Sequence, residues 1–232
     1  MFCLQVLKIL AFVCLVLLAP TFVLGQISYA DNFEAPTLSP FWTVTQQFGS
    51  DTLSTEQNHT PGGRQSLKFT STGGGQRNIS VSHQFPTPQK GVFSIWWYDV
   101  APGQETQYEF LTLYNSATTD QATIGTMDFD ANCYAAFLYD SKSGLRQGPN
   151  QNCGMYPQVS TTNVHRTIGW HNFSISVVGN SITLSIDGNA VFMTNGAYSY
   201  DSITLSQSGP YWRPDTYSYW DDFAAAVWNS NQ

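Results

Sequence analysis

GWHNFSISVVGNSITLSIDG, residues 169–188, alternates apolar and polar residues in two successive runs. Phe173, Ile175 and Val177 fall on one side of a pleated chain, and Ile182, Leu184 and Ile186 do the same in the second run. Period-two alternation marks half-buried strands, and Gly179-Asn180 between the runs supplies the permissive backbone of a tight turn. The segment reads as a β-hairpin. It leaves open whether Trp170-His171 at its start and Asp187-Gly188 at its end serve chemistry or folding.

Similar short runs recur on both sides of the hairpin, separated by Gly, Pro, Asn and Asp. They cover residues 66–70, 78–84, 91–100, 108–114, 124–130, 134–140, 190–194, 202–207 and 222–227. No helical period persists beyond the N-terminal run. Short, regularly punctuated strands of this kind predict an all-β fold, a two-sheet antiparallel sandwich of the jelly-roll type.

The first 25 residues hold one lysine and an apolar run interrupted by Pro20, ending Val23-Leu24-Gly25. This is the pattern of a signal peptide, with a retained anchor as the alternative. Residues 26–232 are then expected to form one domain, secreted to the extracellular space or a periplasm, with no membrane insertion after cleavage. Beyond Lys8 the chain carries eight basic against sixteen acidic residues, a net charge of −8. With no basic stripe, nucleic acid is excluded as a partner class and acidic polymers are disfavoured. Neutral ligands fit better, and a monomer is expected. Cys133 and Cys153, the even pair left after the leader, predict a disulfide, worth about 3 kcal/mol for a loop of this length. Three Asn-x-Ser/Thr sequons begin at Asn58, Asn78 and Asn172.

A set of motifs carries a family resemblance: Phe33-Glu34 near the start, Gly62-Gly63-Arg64-Gln65-Ser66-Leu67-Lys68-Phe69, Gly169-Trp170-His171-Asn172-Phe173, Ile186-Asp187-Gly188, and Asp221-Asp222-Phe223. In this order they resemble a laminin-G-like jelly roll of the concanavalin-A-like lectin/glucanase superfamily. Asn58-His59-Thr60-Pro61-Gly62-Gly63 is similar to the flank of MAM domains. The resemblance implies that Phe33-Glu34 lies in an opening strand, that His171 points into the core and that Asp187-Gly188 is a turn. It also implies one structural calcium ion held by Glu34, Asn58 and Asp222, which would supply hard oxygen ligands.

Function is read from the remaining aromatic positions. In GVFSIWWYDV the apolar set Phe93, Ile95 and Trp97 should face the core, leaving Trp96 and Tyr98 outward; in YEFLTLYN, Leu111 and Leu113 leave Tyr108, Phe110, Thr112 and Tyr114 outward. If these strands are neighbours, their rings line one exposed face suited to sugars, unless a loop covers them. Tyr211, Trp212 and Arg213 add a Pro-punctuated rim. The expected function is non-catalytic binding of a neutral polysaccharide or surface glycan. One alternative is a glycoside hydrolase or polysaccharide lyase; another is a protein–protein adhesion domain. For catalysis, Glu105-Thr-Gln-Tyr-Glu109 is the nearest approach to the glucanase Glu-x-Asp-x-Glu, and Gln107 replaces its middle acid.

Overall fold

A computed structural model describes residues 26–71, 77–100, 108–127, 130–149, 160–209 and 217–229. These contain fifteen strands: β1 (Ile27–Asp31), β2 (Thr43–Gln47), β3 (Gly49–Ser54), β4 (Ser66–Ser71), β5 (Arg77–Asp99), β6 (Tyr108–Tyr114), β7 (Gln121–Met127), β8 (Asp130–Asp140), β9 (Leu145–Gln147), β10 (Thr161–His165), β11 (Gly169–Val178), β12 (Ser181–Ile186), β13 (Asn189–Asn195), β14 (Tyr200–Gly209) and β15 (Tyr217–Asn229). No helix occurs among the described residues.

The long β5 belongs to both layers of an antiparallel jelly-roll sandwich. Its first part pairs with β2 on one side and β14 on the other, and this front sheet continues through β6, β7 and β8, with β9 and β10 against β8. Its last part pairs with β11 and β15. That back sheet runs on through β12 and β13 at one edge, while β15 carries β1 and β4 at the other. Between the two parts lie Pro86 and Pro88, which donate no hydrogen bond and break a straight ladder where the chain changes sheet.

Apolar residues from both sheets meet in one core. Trp97 and Phe173 stack at 5.4 Å, Trp220 lies 6.4 Å from Trp97, and Leu111, Leu113, Ile203 and Leu205 close the front side. The opening hairpin is confirmed: Val178 faces Ser181 across the turn, and Gly179 has φ +58°. His171 is buried against Tyr134; its Nδ1 meets Asp187 Oδ2 at 2.8 Å and its Nε2 meets the Thr167 carbonyl at 2.8 Å. The Thr167 hydroxyl also lies 3.2 Å from Nε2, so Asp187 and Thr167 together hold the ring in place. Asp187 sits in the turn at φ +51° and accepts from the Asn172 N–H. Both ends of the hairpin serve folding.

One implied feature is corrected. Phe33-Glu34 is no strand: β1 ends at Asp31, Phe33 has φ +54°, and Asp31 Oδ1 caps the Phe33 N–H at 2.8 Å. Strands β2, β3, β9 and β10 lack the clean apolar alternation of the strands read from the sequence, and β9 has only three residues. In β2 the whole run TVTQQ is exposed, so no buried face imposes alternation.

Candidate functional site

Alternation that sends Leu111 and Leu113 inward sends Tyr108, Phe110, Thr112 and Tyr114 outward on β6. Register then sets what surrounds them. At one level Thr43, Ser82, Thr204 and Thr112 stand side by side on β2, β5, β14 and β6. The next level holds Thr45, Ser80, Ser206 and Phe110, and the third Gln47, Asn78, Ser208 and Tyr108. No Asp, Glu, Lys or Arg occupies an outward position at these levels.

The rings stand towards the β8 side. Tyr108 lies 5.9 Å from Phe110, and Phe110 meets Phe137 edge to face at 6.0 Å and 89°. The Arg146 guanidinium lies 4.2 Å over Phe137, a cation–π contact. Opposite Phe110 on β7 is Gly125; a Cβ there would stand 1.8 Å from the Glu109 carbonyl and 2.8 Å from the Phe110 ring. Glycine is what lets Phe110 lie down on the sheet. Thr112 and Thr123 hydroxyls meet at 3.2 Å.

Glu109, the carboxylate expected to act if the chain were an enzyme, points the other way. It is buried between the sheets, 2% exposed, with Thr126 Oγ1 3.5 Å from its Oε2. Burial, reinforced by Asp99 and opposed by Arg166 and the Thr126 hydroxyl, pushes its carboxyl up to about 8. Nearby, Arg166 donates from Nε and Nη2 to the two oxygens of Asp99, each at 2.8 Å, and the Tyr134 hydroxyl donates to Asp99 at 3.3 Å. Burial weighs against the Arg166 charge; Asp99 outweighs it and holds the guanidinium above its ordinary value. This is an interior ion cluster on the core side of the front sheet.

Trp96 and Tyr98 do point outward, on the back sheet. They therefore lie on the opposite face from Tyr108 and Phe110, and the single aromatic face expected from the sequence is two faces. The His59 ring stacks on Trp96 at 3.9 Å and 17°, and Trp170 meets Tyr98 edge to face at 5.3 Å. Trp96 is thus partly roofed by the loop that carries His59.

That loop also gathers the residues expected to bind calcium. Glu34 Oε1 accepts from Asn58 Nδ2 at 2.7 Å, and the Glu34 carboxylate accepts from the Arg64 and Gln65 N–H groups. Asp222 meets His59 Nδ1 and the Thr60 hydroxyl, each at 2.6 Å. Asp221 accepts from the N–H groups of His59 and Thr60; burial pushes its carboxyl up against these donors. Asn58 touches Glu34, whereas Asp222 is bound through the next two loop residues. The carboxylates are engaged by N–H and O–H donors, Asn58 turns its amide nitrogen to Glu34, and no cluster of three His, Cys, Asp or Glu suited to a metal occurs among the described residues. As arranged, these groups clamp the loop.

Glu105, Tyr211, Trp212, Arg213 and Cys153 lie outside the described residues. Cys133 is buried on β8.

No protein-family model matches the chain, and no curated protein matches it. Solved structures do. A cellulose-induced protein superposes with a TM-score of 0.62 at 14% identity, over 85% of this chain and 96% of that one. A GlcNAcα1-4Gal-releasing endo-β-galactosidase from Clostridium perfringens gives 0.60 at 14% identity, over 90% and 64%. The Bacillus licheniformis β-glucanase gives 0.53 at 10% identity, over 85% and 97%. The shared property is the fold. The chain has the antiparallel jelly-roll sandwich fold of these structures.

Proposed function

We propose that the protein binds neutral glycans on the outer face of the front sheet and does not cleave them. The observation that carries this reading is a face of half-buried aromatic rings flanked by hydroxyls, with no carboxylate at its described outward positions. Glycoside hydrolysis usually needs a pair of carboxyl groups flanking the scissile bond. The one glutamate of β6 is on the core side instead. Sugar-active proteins among the fold neighbours, the endo-β-galactosidase and the β-glucanase, accord with a carbohydrate ligand.

The decisive experiment is incubation with a soluble-polysaccharide panel, scoring both retention and newly released reducing or unsaturated ends. Retention without released ends is expected, and released ends would overturn the reading. Phe110→Ala is expected to weaken retention at least tenfold, about 1.4 kcal/mol, with the same elution volume on size exclusion. Unchanged retention would remove Phe110 from the site.

The finer expectations accompany this proposal: a laminin-G-like or MAM-like domain, export directed by residues 1–25, a Cys133–Cys153 disulfide and a monomeric state. Binding by Tyr211, Trp212 and Arg213 at the rim is proposed with them. Calcium is proposed only on condition that Asn58 and His59 turn away from the carboxylates. A ligand that binds only the folded state must raise the melting temperature, so no difference between calcium and chelator would remove the ion.

A further inference from the structure

We infer that the bound chain runs across the strands of the front sheet, from Phe110 over Ser206 and Ser80 towards Thr45, and that this face selects an uncharged glycan over one bearing carboxylates or sulfates. The inference rests on the glycan-binding reading above and adds to it a direction and the exclusion of acidic glycans by the face itself.

Direction follows from register. Ser206, Ser80 and Thr45 stand at the same level as Phe110 on three successive strands. With strands about 4.8 Å apart, the four positions make a track of ~14 Å. The ring stands at one end and hydroxyls occupy the rest. On the far side of Phe110 the level continues with Gly125, Ala135 and the buried Thr161, so the accessible hydroxyls lie towards β2. A sugar ring stacked on Phe110 would place its neighbours over the hydroxyls.

Ligand class follows from what the face lacks. Exposed strand faces ordinarily carry Lys and Glu, and exposed edge strands are commonly guarded by charge. Here the edge strand β2 and its three neighbours carry none at these levels, although Lys68 and Glu56 pair on the back-sheet side. Each hydroxyl both donates and accepts, which matches a sugar hydroxyl whichever way it turns. Serine and threonine are short, and threonine is stiff at χ1, so little freedom is lost on binding. A carboxylate or sulfate on the same track would lose water without meeting a cation, and an unpaired desolvated charge is costly. On this sheet Arg146 stands three strands beyond β6, stacked on Phe137.

The test is affinity electrophoresis in gels containing barley β-glucan, galactomannan, polygalacturonate or dextran sulfate. Wild type is expected to be retarded by at least one neutral polymer and by neither acidic one, equally in low and high salt. The double variant Ser206→Val/Thr45→Val places strand-favouring β-branched side chains at two positions outside the core and should retain its melting temperature while losing at least tenfold in retardation. Tyr114→Ala, on β6 but off the track, should lose less than threefold. Retardation by polygalacturonate at high salt, or loss in Tyr114→Ala without loss in the double variant, overturns the inference alone when Phe110→Ala still abolishes binding. No retardation by any polymer, or retardation insensitive to Phe110→Ala, overturns the glycan-binding reading itself.

Discussion

Asp99→Ala is expected to lower the unfolding free energy by about 3–5 kcal/mol, the usual cost of stranding one member of a buried ion pair. Both side chains of the Asp99–Arg166 pair are wholly inaccessible, and the contact is bidentate. The guanidinium keeps its charge under any ordinary condition, so the variant buries a cation that has lost its bidentate carboxylate. Glu109 limits the damage. It lies within electrostatic reach of Arg166 and, with the Asp99 charge gone, can ionise to become the new counterion. The loss should therefore fall towards the lower end of the range and shrink as pH rises. A denaturant titration at two pH values measures this. Asp99→Leu with Arg166→Met should recover much of the loss, because an apolar pair of similar volume replaces two buried charges. A loss below ~1 kcal/mol for Asp99→Ala would mean that water reaches the pair.

Alternation told which side of each strand faces the core, and so the class of fold, the hairpin at 169–188 and the outward placing of Trp96, Tyr98, Tyr108 and Phe110 were legible in the sequence. What alternation does not encode is which strands are neighbours. The two aromatic sets belong to different sheets because β5 crosses between layers, and the only local trace of that crossing is Pro86 and Pro88. The hydroxyl levels depend on register between strands up to about 160 residues apart, such as β2 and β14, so no local pattern marks them. The same holds for Asp99 and Arg166, 67 residues apart; each reads singly as a surface charge. Phe137 and Arg146 were missed because a ring beside a cation becomes a site only when Phe110 is placed next to it. Glu109 resembled half of a catalytic motif through its spacing from Glu105. Its parity with Leu111 and Leu113 already indicated the core side, and the structure agrees.

Glu109→Gln is expected to flatten the pH dependence of stability between about pH 4.5 and pH 8. The folded-state carboxyl is raised from 4.5 to about 8, mainly by burial. In this window the folded chain holds a proton that the unfolded chain has released, so wild-type stability falls as pH rises. The contribution is complete below the unfolded value near 4.5 and is lost as pH passes through about 8. At about 1.4 kcal/mol per pH unit, the bound is on the order of 5 kcal/mol, less whatever relaxation of Arg166 and Asp99 recovers. Glutamine keeps the shape and cannot ionise; other groups titrate alike in both proteins and cancel in the difference. The variant should match wild type near pH 5 and exceed it by a few kcal/mol at pH 9, measured by denaturant unfolding across the range. A difference independent of pH would mean that Glu109 ionises normally and reaches water. The expected outcome also bears on function. A carboxyl kept protonated at neutral pH, on the opposite side of β6 from the rings and hydroxyls, has neither the charge nor the position to attack a sugar lying on the outer face.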